Sequence, residues 1–320
     1  MYLITGCAGF IGYHMTNYLT RRNNKVIGVD SLNRYYSKDY KYERLKILKK
    51  NKRFKFYKID LSNEKKIKNL LTEKKIKYVI HLAAQPGVIY SYKNPDSYYK
   101  NNVKATQNLV DLFNNKTIKN FIFVSSSSVY GDQKKYPIKE NFKLIPKNYY
   151  AKTKITCEKI VTKGFAKNNI PFKIVRPFTV YGPYGRPDML VLKYLTYSKS
   201  NKILKIFNFG KHLRDFTYVD DVVKIIYILS KKNNGNKIYN ICASKPIQII
   251  QFLNIFKKLN KFCPNIKYFK KRKGEMNITY GSNFRVKKDI NYKNFVSIEA
   301  GLAKTISWYK LFKFKKILKT

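Results

Sequence analysis

The sequence predicts an α/β fold in which a doubly wound parallel sheet is followed by a smaller C-terminal lobe. Its first half alternates short apolar segments with helical patterns, which is typical of βαβ units. The segments that we expect to form buried strands are residues 2–5, 26–29, 54–57, 78–81, 121–124 and 172–175. The patterns between them predict helices over residues 10–21, 64–72, 97–113 and 149–165.

The second half is less regular, and it sets the expected domain boundaries. A chain of 320 residues is long enough for one large α/β domain and a smaller lobe. Gly and Pro become frequent after Pro177, so we place the first domain at 1–176 and a lobe that mainly binds substrate at 177–320. A helical pattern near 219–230 and an apolar segment at 237–241 predict that residues near 215–242 return to the first domain.

The composition argues against a nucleic-acid partner and against stable membrane insertion. The formal net charge of +49 by itself favours a polyanion, but only 10 of the 67 basic residues are arginine, and the lysines are spread over the whole chain. Scattered lysines are typical of solvated surfaces. No apolar stretch reaches the length of about 20 residues that a membrane-spanning helix needs.

The cysteines and the C-terminal segment bear on localisation. The four cysteines are isolated, which predicts reduced thiols, no metal site and a cytoplasmic protein. The basic, aromatic segment at 309–316 favours a last amphipathic helix with a solvated tail. Contact of this segment with an anionic membrane surface is the alternative.

A glycine-rich loop follows the first predicted strand. Gly6, Gly9 and Gly12 have the spacing G-x-x-G-x-x-G, and the loop opens a helix near Phe10 and Ile11. Gly6 suits a tight turn, Gly9 lets the backbone approach a pyrophosphate, and Gly12 allows close helix packing. Three glycines can also form an ordinary turn, but the flanking strand and helix favour a Rossmann-type dinucleotide site.

Two acidic residues at predicted strand ends bear on this site. Asp30 ends the second strand, where a carboxylate accepts a hydrogen bond from the adenosine ribose 2′-OH and repels a 2′-phosphate, which favours NAD over NADP. Asp60, next to Leu61, follows the third strand at a position that suits contact with adenine. Taken alone, an Asp at this place favours the N-cap of the helix that begins at Glu64.

Residues suited to proton transfer follow the fifth strand. A run of four serines, 125–128, comes after the strand at 121–124, at the sheet edge where ligands bind in open α/β folds. Tyr150 and Lys154 lie four residues apart, on one face of a helix. Taking a proton from an alcohol near neutral pH needs a base whose pKa is nearer 7 than the ordinary phenol value of about 10. We therefore predict that an adjacent ammonium and a positively charged nicotinamide lower the pKa of Tyr150.

These motifs, in this order, resemble the extended short-chain dehydrogenase/reductase family, and within it the UDP-glucuronate 4-epimerases. A single Tyr-x-x-x-Lys pair carries little weight in a chain with 28 tyrosines, whereas the order of the motifs is selective. The resemblance covers nearly the whole chain and includes the segments 30–36, 81–85, 94–102, 176–183, 185–189 and 214–221. Segment 185–189, Gly-Arg-Pro-Asp-Met, next to the Phe-Thr-Val-Tyr-Gly run, is more selective for uronate epimerases than the motifs before it.

The resemblance implies a role for each candidate site residue. It implies that Ser126 is the hydroxyl partner of the sugar 4-OH, Tyr150 the base and Lys154 the cation that tunes it. The NAD-binding residues that it implies are Gly6, Gly9, Phe10, Ile11, Gly12, Asp30, Asn33, Asp60, Leu61, Leu82, Ala83, Ala84, Gln85, Asn102, Tyr150, Lys154 and Phe178. For the substrate it implies diphosphate contacts from Arg214 and Arg272, and carboxylate contacts from Ser127, Ser128, Thr179 and Arg186.

The activity implied is NAD-dependent 4-epimerisation of UDP-glucuronate to UDP-galacturonate through a transient 4-keto sugar, in a homodimer that supplies polysaccharide precursors. Epimerisation of UDP-glucose/galactose or of a UDP-N-acetylhexosamine is the nearest alternative. Decarboxylases and dehydratases are less favoured, because they carry an acidic residue where Ser127 or Ser128 stands here. A basic NAD-sensing or RNA-binding protein is the alternative of another class. The sequence departs from the family at Arg272, where uronate epimerases often have Gln.

Overall fold

A seven-stranded parallel sheet forms the centre of the protein, for which the computed structural model describes residues 1–72, 74–272 and 274–312. Its strands are β1 (Tyr2–Thr5), β2 (Val26–Asp30), β3 (Phe54–Lys58), β4 (Tyr78–His81), β5 (Asn120–Val124), β6 (Phe172–Pro177) and β10 (Lys237–Ile241). They lie in the order β10-β6-β5-β4-β1-β2-β3. The order reverses direction between β1 and β4, which confirms the predicted doubly wound α/β fold.

Helices connect the strands and cover both faces of the sheet. They are α1 (Phe10–Arg21), α2 (Lys38–Lys49), α3 (Glu64–Leu71), α4 (Tyr90–Lys93), α5 (Pro95–Tyr98), α6 (Ala105–Phe113), α7 (Tyr149–Lys167), α8 (Leu190–Tyr197), α9 (Val219–Lys231), α10 (Ile249–Leu259), α11 (Phe284–Ile290) and α12 (Ile298–Leu311). Apolar residues of α1, α2 and α9 fill the core on one face of the sheet, and those of α3, α6 and α7 fill the core on the other. Burial of these apolar surfaces is what holds the helices on the sheet.

Two helical regions differ from the expectation. The helix expected over 97–113 begins at Pro95, and a π-helical segment, Tyr99–Lys104, separates α5 from α6. We did not predict α2, because more than half of its residues are charged and its apolar pattern is weak. Tertiary packing of Leu45 and Leu48 against the sheet overrides that weak local signal.

A smaller lobe follows β6. Its main sheet contains β7 (Thr179–Tyr181), β9 (Leu213–Tyr218), β11 (Pro246–Gln248) and β13 (Ile278–Thr279), and β9 pairs with each of the other three. A separate parallel pair contains β8 (Ile203–Phe207) and β12 (Asn265–Phe269). Apolar residues of α8, α10 and α12 pack with the main sheet in a core of their own.

Segments beyond Pro177 also contribute to the central sheet. β10 pairs in parallel with β6 and forms one edge of that sheet, and α9 packs against β5, β6 and α1. α11 in turn packs on α9 and β10. The division of the chain into domains at 1–176 and 177–320 stays a prediction.

Three features of the chain bear on localisation. Within the described ranges, no helix has the length and apolar character that crossing a membrane requires. α12 ends at Leu311, and residues 313–316 of the basic C-terminal segment lie outside the described residues, as does the expectation of a tail or a membrane contact there. Cys7, Cys157, Cys242 and Cys263 are free thiols, and the first three are buried.

Replacement of Ile225 by Ala tests whether α9 belongs to the core of the central sheet. Ile225 is fully buried in that core, so truncation leaves a cavity and lowers the free energy of unfolding by about 2–5 kcal/mol. Urea unfolding followed by circular dichroism measures the loss. Its neighbour Lys224 is exposed, and Lys224→Ala changes the same quantity by no more than about 0.5 kcal/mol. Equal losses for the two variants contradict this packing.

Candidate active site

One cavity of about 440 Å³ lies at the carboxyl ends of the central strands, and residues of the smaller lobe line its far side. This is where ligands bind in open α/β sheets. The predicted site residues that line it are Gly6, Gly9, Phe10, Ile11, Gly12, Asp30, Asn33, Asp60, Leu61, Leu82, Ala83, Ala84, Ser126, Ser127, Ser128, Tyr150, Lys154, Phe178, Thr179, Arg186 and Arg214. Gln85, Asn102 and Arg272 are predicted site residues that do not line it.

The glycine loop leaves no room for side chains at two of its positions. Gly6 has a φ of 69°, and a Cβ atom on it would lie 2.8 Å from the backbone nitrogen of Ala83. A Cβ atom on Gly12 would lie 2.0 Å from the carbonyl oxygen of Gly6. α1 begins directly after Gly9, which has no side chain to cap the first N–H groups. These N–H groups and the bare backbone form a cradle that suits a pyrophosphate.

Asp30 is oriented by the backbone on both sides. Its Oδ2 accepts a hydrogen bond from the Ala8 N–H at 3.1 Å, and its Oδ1 accepts one from the Leu32 N–H at 2.8 Å. Each oxygen keeps a lone pair for a further donor. A carboxylate at the end of β2 that faces the cavity is the group expected to bind an adenosine ribose.

Asp60 is not the N-cap of α3, which corrects the local interpretation of its position. Asn63 caps this helix by accepting a hydrogen bond from the Lys66 N–H at 3.0 Å, because it directly precedes the first helical residue. Burial acts to raise the pKa of Asp60, but hydrogen bonds from Ser62 and the charge of Lys100 outweigh it and lower the pKa. Asp60 therefore stands as a carboxylate in the cavity wall.

Gln85 and Asn102 lie behind the cavity and support it. The Gln85 N–H donates to Asn102 Oδ1 at 2.6 Å, and Asn102 Nδ2 donates to Thr153 Oγ1 at 3.0 Å. Asn33 Nδ2 in turn donates to Gln85 Oε1 at 3.0 Å. These bonds connect the loop after β4, the π-helical segment and the first turns of α7. Gln85 and Asn102 therefore affect the cavity through the residues that they hold in place.

Helix α7 carries Tyr150 and Lys154 into the cavity. Asn148 begins the helix by accepting a hydrogen bond from the Ala151 N–H at 2.9 Å, which places Tyr150 in the first turn. Lys154 follows one turn later on the same face. Its Nζ donates to the Val124 carbonyl oxygen at 2.6 Å and lies 4.4 Å from the centre of the Phe123 ring.

The protein's own groups raise the pKa of Tyr150, whereas the lowering that we predicted also involves a bound nicotinamide. Burial raises this pKa, while a hydrogen bond with Ser126 and the charge of Arg186 act to lower it. Burial also lowers the pKa of Lys154 to about 8. Desolvation by the surrounding protein therefore dominates both groups, and the protein's own side chains do not produce an acidic phenol.

The serine run forms a tight turn after β5. Ser126 Oγ donates to Ser128 Oγ at 3.1 Å and accepts a hydrogen bond from the Ser128 N–H at 3.2 Å. Ser127–Tyr130 forms a 3₁₀ turn. Hydroxyl groups donate to an anionic ligand without the repulsion that a carboxylate would exert.

Arg186 is already paired with an acidic residue that we did not select. Its guanidinium donates to both carboxylate oxygens of Asp188, at 3.0 and 2.5 Å, and Tyr35 OH donates to the same carboxylate at 3.0 Å. The pair lies beside the cavity with side chains 21% and 34% exposed. Arg186 thus faces the site in a fixed geometry with most of its charge neutralised.

The two other predicted arginines differ in position. Arg214 lines the cavity and donates to the carbonyl oxygens of Leu213 and Asn277 with Nη1 and of Met276 with Nη2. Arg272 lies outside the cavity lining, where its guanidinium pairs with Glu275 and stacks 3.7 Å above the Phe207 ring. Arg214 is therefore the better-placed candidate for a phosphate contact.

Sequence reasoning missed several residues that line the cavity. They include Tyr35, Tyr36, Lys41, Gly87, Val88, Asn101, Met189 and Met276. The two tyrosines and Met189 lie within segments that carry the family resemblance, so a signal for them was present. Lys41 is one of many lysines in a weakly patterned helix, and nothing in the sequence separates it from the others.

A buried ion pair fixes α7 against the sheet. Glu158, on α7, accepts hydrogen bonds from Arg176 Nε at 2.9 Å and Nη2 at 2.6 Å. Ser125 Oγ, directly after β5, donates to the same carboxylate at 2.5 Å. Arg176 Nη1 also donates to Tyr130 OH at 2.9 Å. The network ties α7, β5 and β6 together directly beneath the candidate catalytic residues.

Family models identify the class of protein that this fold and cavity define. Residues 2–242 match the model of the NAD dependent epimerase/dehydratase family, and the chain belongs to that family.

The similar proteins include epimerases of UDP-glucuronate and of UDP-glucose. A UDP-glucuronate 4-epimerase of Thermodesulfobacterium geofontis is 38% identical over 97% of this chain and 96% of its own length. The solved UDP-glucuronic acid 4-epimerase of Bacillus cereus, in complex with UDP-glucuronic acid and NAD, is 31% identical with a TM-score of 0.91, over 97% of this chain and 99% of its own. A UDP-glucose 4-epimerase of Thermotoga maritima with UDP-glucose is 26% identical with a TM-score of 0.89, over 97% and 98%.

Replacement of Glu158 by Gln tests the buried network. It leaves the Arg176 charge buried beside a neutral partner, so the free energy of unfolding falls by about 3 kcal/mol. Urea unfolding at neutral pH measures this loss. Lys100→Gln is the control, since its pair with Asp60 is exposed and contributes about 1 kcal/mol or less. A loss for Glu158→Gln no larger than that of the control shows that the ion pair does not hold the helix.

Proposed function

We propose that this protein is an NAD-dependent 4-epimerase that converts UDP-glucuronate to UDP-galacturonate through a transient 4-keto sugar. The observation that carries the proposal is the convergence, in one cavity, of Ser126, Tyr150 and Lys154 with a dinucleotide cradle. The relatives named above support the choice of substrate. The bare glycine loop, the uncapped N-terminus of α1 and the Asp30 carboxylate have the chemistry that binding of NAD requires.

The residues of the chain orient the sugar and transfer its proton. The glycine loop and Asp30 would hold NAD, which would supply reversible hydride transfer at C4 of the sugar. Tyr150 takes the proton of the 4-OH group and gives it back to the inverted alcohol, while Ser126 donates to the same oxygen. Lys154 supplies a fixed positive charge near the phenol. Burial by the protein raises the pKa of Tyr150, and the positive charge of a bound nicotinamide would act in the opposite direction, together with the Ser126 hydrogen bond and the charge of Arg186.

Recognition of a uronate is assigned to the residues around the sugar position. Ser127, Ser128 and Thr179 offer neutral donors, and Arg186 offers a guanidinium held in place by Asp188. Elimination or decarboxylation would need an acidic residue where the serines stand. Arg214 contacts the diphosphate, and the planar fork of its guanidinium suits phosphate oxygens. Arg272 reaches the diphosphate only if its pair with Glu275 opens.

One observation favours a second candidate function. Asp188 neutralises Arg186, so the cavity does not present an unpaired cation at this place. A UDP-sugar without a carboxylate, such as UDP-glucose or a UDP-N-acetylhexosamine, avoids competition with Asp188. Epimerisation of such a neutral sugar is therefore the alternative that substrate comparison has to decide.

The setting of the enzyme is part of the same proposal. We infer a homodimer in the cytoplasm, where free thiols stay reduced, and a supply of precursors for surface polysaccharide. Scattered surface lysines favour neither nucleic acid nor stable insertion into a membrane. Light scattering of the purified protein measures the mass of the assembly.

Incubation of the purified protein with UDP-glucuronate tests the reaction itself. NMR spectra are expected to show UDP-galacturonate accumulating until it is in equilibrium with UDP-glucuronate. No net consumption of NAD is expected, since the cofactor is regenerated in each cycle. UDP-glucose and UDP-N-acetylglucosamine, assayed in parallel, are expected to react more slowly. Faster epimerisation of a neutral sugar selects the second candidate, and release of UDP-xylose with carbon dioxide rules out both.

Replacement of Tyr150 by Phe tests the assignment of the base. Turnover is expected to fall by about 10²–10⁴-fold, because the proton acceptor is lost, while the content of bound NAD stays unchanged. The adjacent Tyr149→Phe serves as the matched control and keeps turnover close to that of the natural protein. Retained activity in Tyr150→Phe removes this residue from the mechanism.

A further inference from the structure

Arg44 is a fully buried arginine whose hydrogen bonds all go to neutral oxygens. It lies on α2 and its side chain is 0% exposed. Its acceptors are the carbonyl of Ala8 at 2.9 Å, the hydroxyl of Tyr36 at 2.7 Å, and the carbonyls of Tyr184 at 2.6 Å and Gly185 at 3.1 Å. The guanidinium also stacks 4.2 Å from the Tyr40 ring centre, and its Nε has no partner among the described residues. Burial of a cation without a carboxylate costs folding free energy, so stability alone does not explain it.

The segment that Arg44 holds is a strained turn. Tyr184 has a φ of 52°, a left-handed conformation that is unfavourable for a bulky side chain. The carbonyl before it, on Pro183, accepts a hydrogen bond from His14 Nε2 at 2.7 Å. Three successive carbonyls of this turn therefore have their donors on α1 and α2. A strained backbone persists only where its surroundings determine it in this way.

The hydrogen bonds of Arg44 connect two different parts of the cavity wall. On one side, Arg44 binds the carbonyl of Ala8, whose N–H donates to Asp30, so this part of the glycine loop is held at both polar atoms. On the other side, the held turn ends one residue before Arg186, which lines the cavity. Arg44 itself does not line the cavity. A single guanidinium thus spans the cofactor loop and the loop that carries the substrate-facing arginine.

We propose that Arg44, assisted by His14, is a positioning residue that fixes the turn at 183–185 against the glycine loop and so directs Arg186 toward the carboxylate of an acidic sugar. This inference rests on the proposed function. It requires the geometry of an arginine, because the planar fork reaches acceptors on both loops at once, whereas a lysine ammonium is a single point. Selectivity for the acidic sugar therefore depends on a residue outside the binding surface.

The test measures binding in holoenzyme that carries Tyr150→Phe, so that it does not depend on turnover. Calorimetry gives the Kd of UDP-glucuronate and of UDP-glucose for this protein and for the same protein with Arg44→Lys. Arg44→Lys is expected to raise the Kd of UDP-glucuronate by about tenfold or more and the Kd of UDP-glucose by less than about twofold. Arg34→Lys, an exposed arginine between β2 and α2, is the control and leaves both values unchanged.

A double-mutant cycle separates positioning from a general structural role. In a protein that already carries Arg186→Met, Arg44→Lys is expected to change the Kd of UDP-glucuronate by less than about twofold, because its effect acts through Arg186. Equal weakening in both backgrounds, or equal weakening of both sugars, overturns the proposal. Failure of the natural enzyme to form UDP-galacturonate instead overturns the proposed function, and the product assay detects that separately.

A second pair of variants covers the case in which Arg44→Lys does not fold. His14→Leu removes the donor to the Pro183 carbonyl. It is expected to raise the Kd of UDP-glucuronate, but not that of UDP-glucose, by about threefold or more. His14→Gln keeps an N–H donor on the side chain and is expected to restore most of that loss. Loss of binding for both sugars in His14→Leu, or no recovery in His14→Gln, counts against the turn as a positioning device.

Discussion

The buried ion pair of Glu158 with Arg176 is the interaction on which the rest of the site depends. Two charges withdrawn from water are tolerated only when their polar atoms find partners, and here Ser125 and Tyr130 complete the set. Glu158 lies one turn after Lys154 and two turns after Tyr150 on the same helix. Once the pair sets the rotation of α7, both of those side chains face the cavity.

The cations of the cavity are held by partners of their own. The chain carries a net charge of +49, yet three cations at the site are each engaged: Lys154 with a carbonyl, Arg186 with Asp188, and Arg214 with three carbonyls. Their positions are therefore fixed before a ligand arrives, which is what electrostatic preorganisation requires. The large surface charge raises the local concentration of anionic ligands, whereas geometry within the cavity selects among them.

Local patterns predicted the parts of the molecule that local physics determines. The strands of the central sheet and the glycine loop are short segments whose own residues specify them, and both match the prediction closely. Burial depends on the whole fold, so the raised pKa of Tyr150 had no signal in the sequence. The N-cap of α3 is Asn63 and not Asp60. Lys41 and Arg44 act through contacts with residues outside their own helix, and that helix is too highly charged to reveal a buried face. Asp188 was visible in a selective motif, but only the fold shows that it neutralises Arg186.

The π-helical segment Tyr99–Lys104 allows the side-chain amide of Asn102 to be positioned without a change in the packing of the core. A π turn holds one more residue than an α turn, so it behaves as an insertion that the helix absorbs without rotating α6. α6 keeps its apolar face on the sheet, while Asn102 gains its bonds to Gln85 and Thr153. A deletion of one residue in this segment would therefore remove the support that Asn102 gives behind the cavity, while the hydrophobic interior stays in register.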